Sequence, residues 1–119
     1  LVSKATDFIT ANYQKDRHHV ACALRSGDKE YLSLHLDTKG FDVCAEPIAL
    51  SNALRDGRTL FDSIVAVLMS DTGETRVVAP CGNCRQILFE YMPDVSVILP
   101  NGDSLTKATA RSLFPNPYE

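Results

Sequence analysis

No apolar run in this chain approaches the ~20 residues needed to cross a bilayer. The segment from Leu1 to Tyr13 lacks both the basic start and the unbroken apolar core of a signal peptide. No dense basic run is present either. Lys15, Arg17, Lys29, Arg55 and Arg58 are scattered, and the net charge is −3. A polynucleotide-binding protein concentrates Lys and Arg to neutralise phosphates, so this pattern disfavours nucleic acid and favours a small free ligand. There is no linker, repeat or low-complexity tract. With 119 residues, 45% of them apolar, the chain is expected to fold as a single domain, 1–119, around one core. Cysteine is sparse but not absent. Four could make two disulfides in a secreted protein, yet three of them fall in a pattern that binds metal, so a reducing, cytoplasmic setting is expected.

That pattern is Cys44-Ala45-Glu46 followed by Pro80-Cys81-Gly82-Asn83-Cys84. Three thiolates can fill three corners of a zinc tetrahedron and leave the fourth for water, the mark of a catalytic rather than a structural site. One zinc ion per chain is expected. Zinc lowers the pKa of bound water from ~15.7 to roughly 7, giving a nucleophile able to attack an sp² carbon that bears an amino group. A proton must then reach the ring nitrogen and another the departing amine, work suited to one carboxylate beside the metal. Glu46, two residues past a ligand, is the candidate. A lone Cys-x-x-Cys is shared with redox pairs and zinc knuckles. Joined to Cys-x-Glu and a preceding proline, it is the established signature of zinc deaminases. The leftover Cys22 sits in an apolar strand pattern and reads as a small buried residue rather than a reactive thiol.

On these motifs the chain resembles the small homotetrameric cytidine deaminase family, which includes blasticidin-S deaminase. The likeness extends over Val20-Ala21-Cys22-Ala23-Leu24, Pro80 to Gln86, and Ser112-Leu113-Phe114-Pro115 with Tyr118 after it. It implies a cytidine deaminase-like three-layer α/β/α sandwich with a mixed central sheet. It also implies a homotetramer with shared active sites, in which Tyr118 reaches the substrate of another subunit. Three departures stand out. Pro47 replaces the arginine that usually follows Cys-Ala-Glu and tunes the thiolates, a role Arg85 could take. His35-Leu36-Asp37 replaces the Asn-x-Glu pair that grips ribose; these two either bind hydroxyls or face solvent at a strand end. His18-His19-Val20-Ala21-Cys22 replaces Phe-Pro-Val-Gly-Ala, which puts His18 in the place of a base-pocket aromatic. Neighbours on a strand point to opposite faces, so at most one of the two histidines lines the pocket. Val20, Ala21, Ala45 and Pro80 complete the expected substrate surface. A backbone amide near Cys81 or in the Val20–Cys22 strand is expected to hold the ring carbonyl.

Periodicity outlines a single α/β unit. Leu1, Ala5, Phe8, Ile9 and Tyr13 predict an opening helix. Val20, Cys22 and Leu24, the turn at Ser26-Gly27-Asp28, and Tyr31 to Leu36 predict a hairpin. A loop over 37–43 leads to a helix from Cys44 to about Gly57, with Pro47 in its first turn, where no amide donor is needed. The apolar run 64–69 predicts a strand covered on both faces, and 75–79 a short strand. A second helix begins over 81–84, carries Ile87, Leu88 and Tyr91 on one side, and stops at Pro93. Residues 95–99 predict the last strand and 105–113 a short helical segment. Three functions follow for testing. The first is a zinc-dependent hydrolytic deaminase of a cytidine- or deoxycytidine-type nucleoside. The second is a deaminase of another aminated heterocycle, such as blasticidin S or a modified free base. The third is a non-catalytic zinc- or nucleic-acid-binding module, against which the intact Glu46 argues.

Overall fold

A computed structural model describes residues 1–116. The opening helix α1 covers Val2–Asn12, and the hairpin follows as β1 (Val20–Ser26) and β2 (Lys29–Leu34). Gly27 turns it at φ +62°, in the left-handed region that glycine enters without penalty. Next come β3 (Leu36–Asp37), β4 (Asp42–Val43), α2 (Ala45–Arg55), β5 (Ser63–Met69), β6 (Thr75–Val78), α3 (Gly82–Tyr91), β7 (Ser96–Asn101) and β8 (Ser104–Thr109). A 3-10 turn at Arg111–Leu113 follows.

The main sheet runs β2-β1-β5-β7-β8, with β6 also paired to β5. It is mixed: β5 is antiparallel to β1 and β6 but parallel to β7. The two partners on the same side of β5 divide its length. Ser63 and Ile64 pair with β7, and residues from Ala66 to Met69 pair with β6.

Strand alternation divides the core between two layers. On one face, Ala21 and Ala23 of β1 and Val65 and Val67 of β5 meet Ala5 and Ile9 of α1. On the other, Cys22, Leu24 and Ile64 meet Ala49, Leu50 and Ala53 of α2 and Leu88 of α3. This is the expected α/β/α sandwich. Cys22 is buried in it, as a small core residue should be. Ala45, Ala49 and Ala53 recur every four residues on α2, all fully buried, and their small side chains let that helix lie close against β1 and β2. Each large apolar residue buried here, such as Ile9, Leu24 or Leu88, contributes about 1.5–3 kcal/mol from removal of its surface from water.

Five local expectations are corrected. Residues 105–113 do not form a helix: β8 occupies 104–109 and only the 3-10 turn is helical. The reason is the turn at Asn101-Gly102-Asp103, where Gly102 sits at φ +62° and folds the chain back onto β7. β7 is therefore not the last strand. The return strand of the hairpin ends at Leu34 rather than Leu36, because the chain breaks at His35 before entering β3. The segment 37–43 is not wholly a loop, since its ends pair as Leu36↔Val43 and Asp37↔Asp42. Tyr91 does not share the buried side of α3 with Leu88 and is 60% exposed.

Candidate active site

Both zinc-binding elements lie at helix starts. Cys44 is the N-cap of α2, with extended backbone at φ −64° and ψ 153°. Cys81 is the N-cap of α3, at φ −71° and ψ 175°. The first amides of a helix have no carbonyl partner within it and form a positive end that favours thiolate. The sheet brings these two starts together. The Cys44 and Cys81 sulfurs are 3.5 Å apart, and one ligand atom from each of Cys44, Cys81 and Cys84 lies within 4.8 Å of the others. None is in a disulfide. Three free, soft sulfur donors in one cluster fit a zinc ion with an open position.

The electrostatics distinguish the three thiols. Burial pushes Cys81 up, but the amides of Cys84 and Asn83 and the neighbouring thiols outweigh it, so its pKa falls below the usual thiol value. Cys44 is raised, first by burial and then by the Cys81 thiol. Cys84 is raised further, by burial and by the charges of Glu46 and Cys44. A cluster that resists holding three negative charges on its own is one that a divalent cation stabilises, since coordination deprotonates a thiol outright.

Glu46 lies in the first turn of α2 and is 7% exposed. Behind it a void of about 10 Å³ is walled by Ile64, Pro80, Leu88 and Val97. Burial raises its carboxyl pKa, partly offset by its own amide and the Cys84 thiol. A carboxyl shifted upward from its usual value is better suited both to take and to give a proton. Glu46 also faces a cavity of about 120 Å³, shared with Val20, His35, Cys44, Ala45, Ala66, Val78, Ala79 and Cys81. Cys44 and Cys84 also border a separate hollow of about 360 Å³ beside Asn83 and Ile87. The groove next to the cavity, about 490 Å³, holds none of the thiols; it is lined by Tyr13, Asp16, His19, Asp37 and Asp71, among others. His35 stands between the two. It lines the cavity, and its ring meets that of His19 edge-on at 4.4 Å. Burial, then the neighbouring His19, lowers the His35 pKa and keeps its ring neutral near pH 7.

The expected site residues divide accordingly. Val20, His35, Ala45, Glu46, Cys44 and Cys81 line the cavity together, and Cys84 completes the thiol cluster. Pro80 lies just behind, beside Glu46. Asp37 belongs to the adjoining groove. His18 is outside the cavity lining, with its Nδ1 2.9 Å from the His35 carbonyl oxygen. The Ala21 side chain points into the layer under α1, away from the thiols. Arg85 donates from Nε to the Pro80 carbonyl at 2.9 Å, which braces the loop before Cys81. Tyr118 lies outside the described residues. Sequence reasoning missed Ala66, Val78 and Ala79. Ala66 is the one small residue in the apolar run of β5, and Val78 and Ala79 directly precede Pro80; both were signals of where space is left.

Comparison with known proteins agrees with this geometry. The family described as the cytidine and deoxycytidylate deaminase zinc-binding region matches residues 1–99. A blasticidin-S deaminase from Bacillus cereus is 38% identical, over 99% of this chain and 89% of its own length. A cytidine deaminase from Halalkalibacterium halodurans is 38% identical over 66% of this chain and 58% of its own. Among solved structures, the cytidine deaminase from Burkholderia pseudomallei superposes with a TM-score of 0.76 at 27% identity, covering 97% of this chain and 94% of that one. The cytidine deaminase from Bacillus anthracis shares the fold at a TM-score of 0.83 and 22% identity, covering 99% and 86%. Sequence motif, sheet topology, thiol cluster and relatives converge: the chain belongs to the cytidine and deoxycytidylate deaminase family of zinc-dependent hydrolytic deaminases.

Proposed function

We propose that the chain removes the amino group from a small, free, cytidine-type pyrimidine nucleoside, with Cys44, Cys81 and Cys84 holding zinc and Glu46 moving the protons. The observation that carries this reading is that Cys44, Cys81 and the buried carboxyl of Glu46 line one cavity of about 120 Å³, with Cys84 within reach of the other two thiols. That space suits a single ring and is well below the ~300–1,000 Å³ of a pocket that encloses a whole drug-sized ligand. The ring enters the cavity, and the rest of the substrate extends past His35 toward the groove with His19 and Asp37.

Zinc, when bound, supplies the Lewis acidity that makes a water molecule nucleophilic at neutral pH. The protein does the rest. Glu46 accepts the proton of the attacking water and delivers it to the ring nitrogen. It then carries the second proton to the amino group, which leaves as ammonia while the ring carbon keeps the oxygen. The apolar wall of Ile64, Leu88 and Val97 keeps bulk water from the carboxyl. Val20 and Ala45 border the ring. His35 and Asp37 accept hydrogen bonds from substrate hydroxyls. Arg85 acts on the thiols through the Pro80–Cys81 backbone. Neighbouring copies in a homotetramer complete the site.

A second reading, a deaminase of blasticidin S, is favoured by one observation: the relative of that name matches 99% of this chain. A panel of cytidine, deoxycytidine, cytosine and blasticidin S, assayed for ammonia release with zinc-loaded protein, separates the two. Turnover of the nucleosides supports the first reading. Turnover of blasticidin S alone replaces it with the second. Binding of nucleic acid without turnover of any compound would contradict both.

A further inference from the structure

We propose that His19, His35 and Asp37 form a second site for a divalent transition-metal ion, separate from the thiol cluster. One imidazole nitrogen from each histidine and one carboxylate oxygen of Asp37 lie within 4.8 Å of one another. Main-chain bonds hold the three donors in place. The His35 amide donates to Val20 O at 2.8 Å, the Asp37 amide to Arg17 O at 3.1 Å, and the Met69 amide to His19 O at 2.9 Å. The His18 ring adds a contact of 2.9 Å to the His35 carbonyl. The donors therefore converge before any ligand arrives, which limits the ordering cost of binding.

A second observation points to a missing partner. His35 is 7% exposed, and its buried Nδ1 has no hydrogen-bond partner among the described residues. A buried polar atom left unpaired in a folded protein calls for an explanation, and an absent ion is one of the few available. Two imidazoles and a carboxylate suit Zn²⁺, Co²⁺, Ni²⁺ or Fe²⁺ and are poorly matched to Mg²⁺ or Ca²⁺, which take oxygen donors. Asp42 faces Asp37 across the β3–β4 pair, and a hydrogen bond between the two carboxyls, then burial, raises the Asp42 pKa. His35 lines the ring cavity, whereas His19 and Asp37 line the groove. An ion here therefore sits at the junction of the two. On the function proposed above, it occupies the groups that substrate hydroxyls would use, so ion and substrate exclude each other.

The test is a cobalt titration of the metal-free protein. The first equivalent should enter the thiol cluster and give a near-ultraviolet sulfur-to-cobalt charge-transfer band. A second should add visible d–d absorption with no growth of that band. His19→Ala and Asp37→Asn should each weaken the second event by about tenfold or more, since losing even an outer partner of a metal ligand costs that much, while leaving the thiolate band intact. Saturation at one cobalt per chain, or a second event of unchanged affinity in both variants, would overturn the proposal. Neither result depends on deaminase activity, so failure of the proposed reaction would show separately, as absent turnover in zinc-loaded protein.

Discussion

At the scale of single residues, the site places a carboxyl in apolar surroundings beside three sulfurs, and each part has its own consequence. Cys81→Ser and Cys84→Ser replace a soft donor with a poor one. Each should reduce zinc content well below one ion per chain, measured by metal analysis after dialysis. Zinc loss in neither variant would remove these residues from the ligand set. Pocket contacts illustrate the limit of reading side chains from a linear motif. Cys44, Glu46, Cys81 and Cys84 were legible because they act within a turn or two of their own helix starts. His18 and Ala21 were not. Their directions depend on how the start of β1 meets β2 and α1, and the structure turns His18 onto the His35 carbonyl and Ala21 toward α1.

Among the elements, α3 carries Cys84, has Cys81 as its N-cap, and rests on the sheet through Leu88, which is 1% exposed. Leu88→Ala should cost about 2–5 kcal/mol, the range for emptying a packed leucine site. It should also weaken zinc binding, because the helix start loses its anchor; denaturant unfolding and metal titration report the two effects. The C-terminal end of α2 gives a pH prediction. Asp56 accepts from Lys29 Nζ at 2.7 Å and from the Tyr31 hydroxyl at 2.8 Å. Lys29 first, then Tyr31, holds its carboxyl below the usual aspartate value. A carboxyl depressed in the folded state stabilises the fold above its unfolded pKa of ~3.9, and that stability is lost as pH falls through the lower folded value. Asp56→Asn should therefore lower the melting temperature at pH 7 and narrow the gap to wild type as pH drops below ~4. An equal gap at every pH would refute the linkage. Helices α1 to α3 and strand β5 were legible because their apolar runs are long enough to set a pattern. β8 was not. It is an exposed edge strand whose Leu105 and Ala108 are three apart, a spacing that mimics a helix, and only the Asn101-Gly102 turn reveals the hairpin. The two-residue pairing of β3 with β4 is too short to leave any periodicity.

For the molecule as a whole, a zinc ion held by Cys44, Cys81 and Cys84 would join helix starts from two distant parts of the chain, so it should stabilise the whole fold. A ligand present at a thousand times its Kd adds about 4 kcal/mol. For a domain of this size, chelation should lower Tm by roughly 10 °C or more. The expected homotetramer can be tested by light scattering, where a mass near that of one 13.1 kDa chain would exclude it. No helix among the described residues is long and apolar enough to cross a membrane. The α/β/α arrangement was accessible from the resemblance carried by the zinc motifs. The cavity was not, since Ala66, Val78 and His35 come together only when β1, β5 and β6 pair. On the proposed function, this cavity uses Glu46 to move protons in a hydrolytic deamination. The most direct test is ammonia release by zinc-loaded protein and its Glu46→Gln variant, which keeps the shape and loses the ionisable group. The wild type should turn over and the variant should lose about 10²–10⁴-fold or more, the usual worth of a positioned acid–base group, with one zinc per chain in both. Equal turnover by the two zinc-loaded proteins would contradict it.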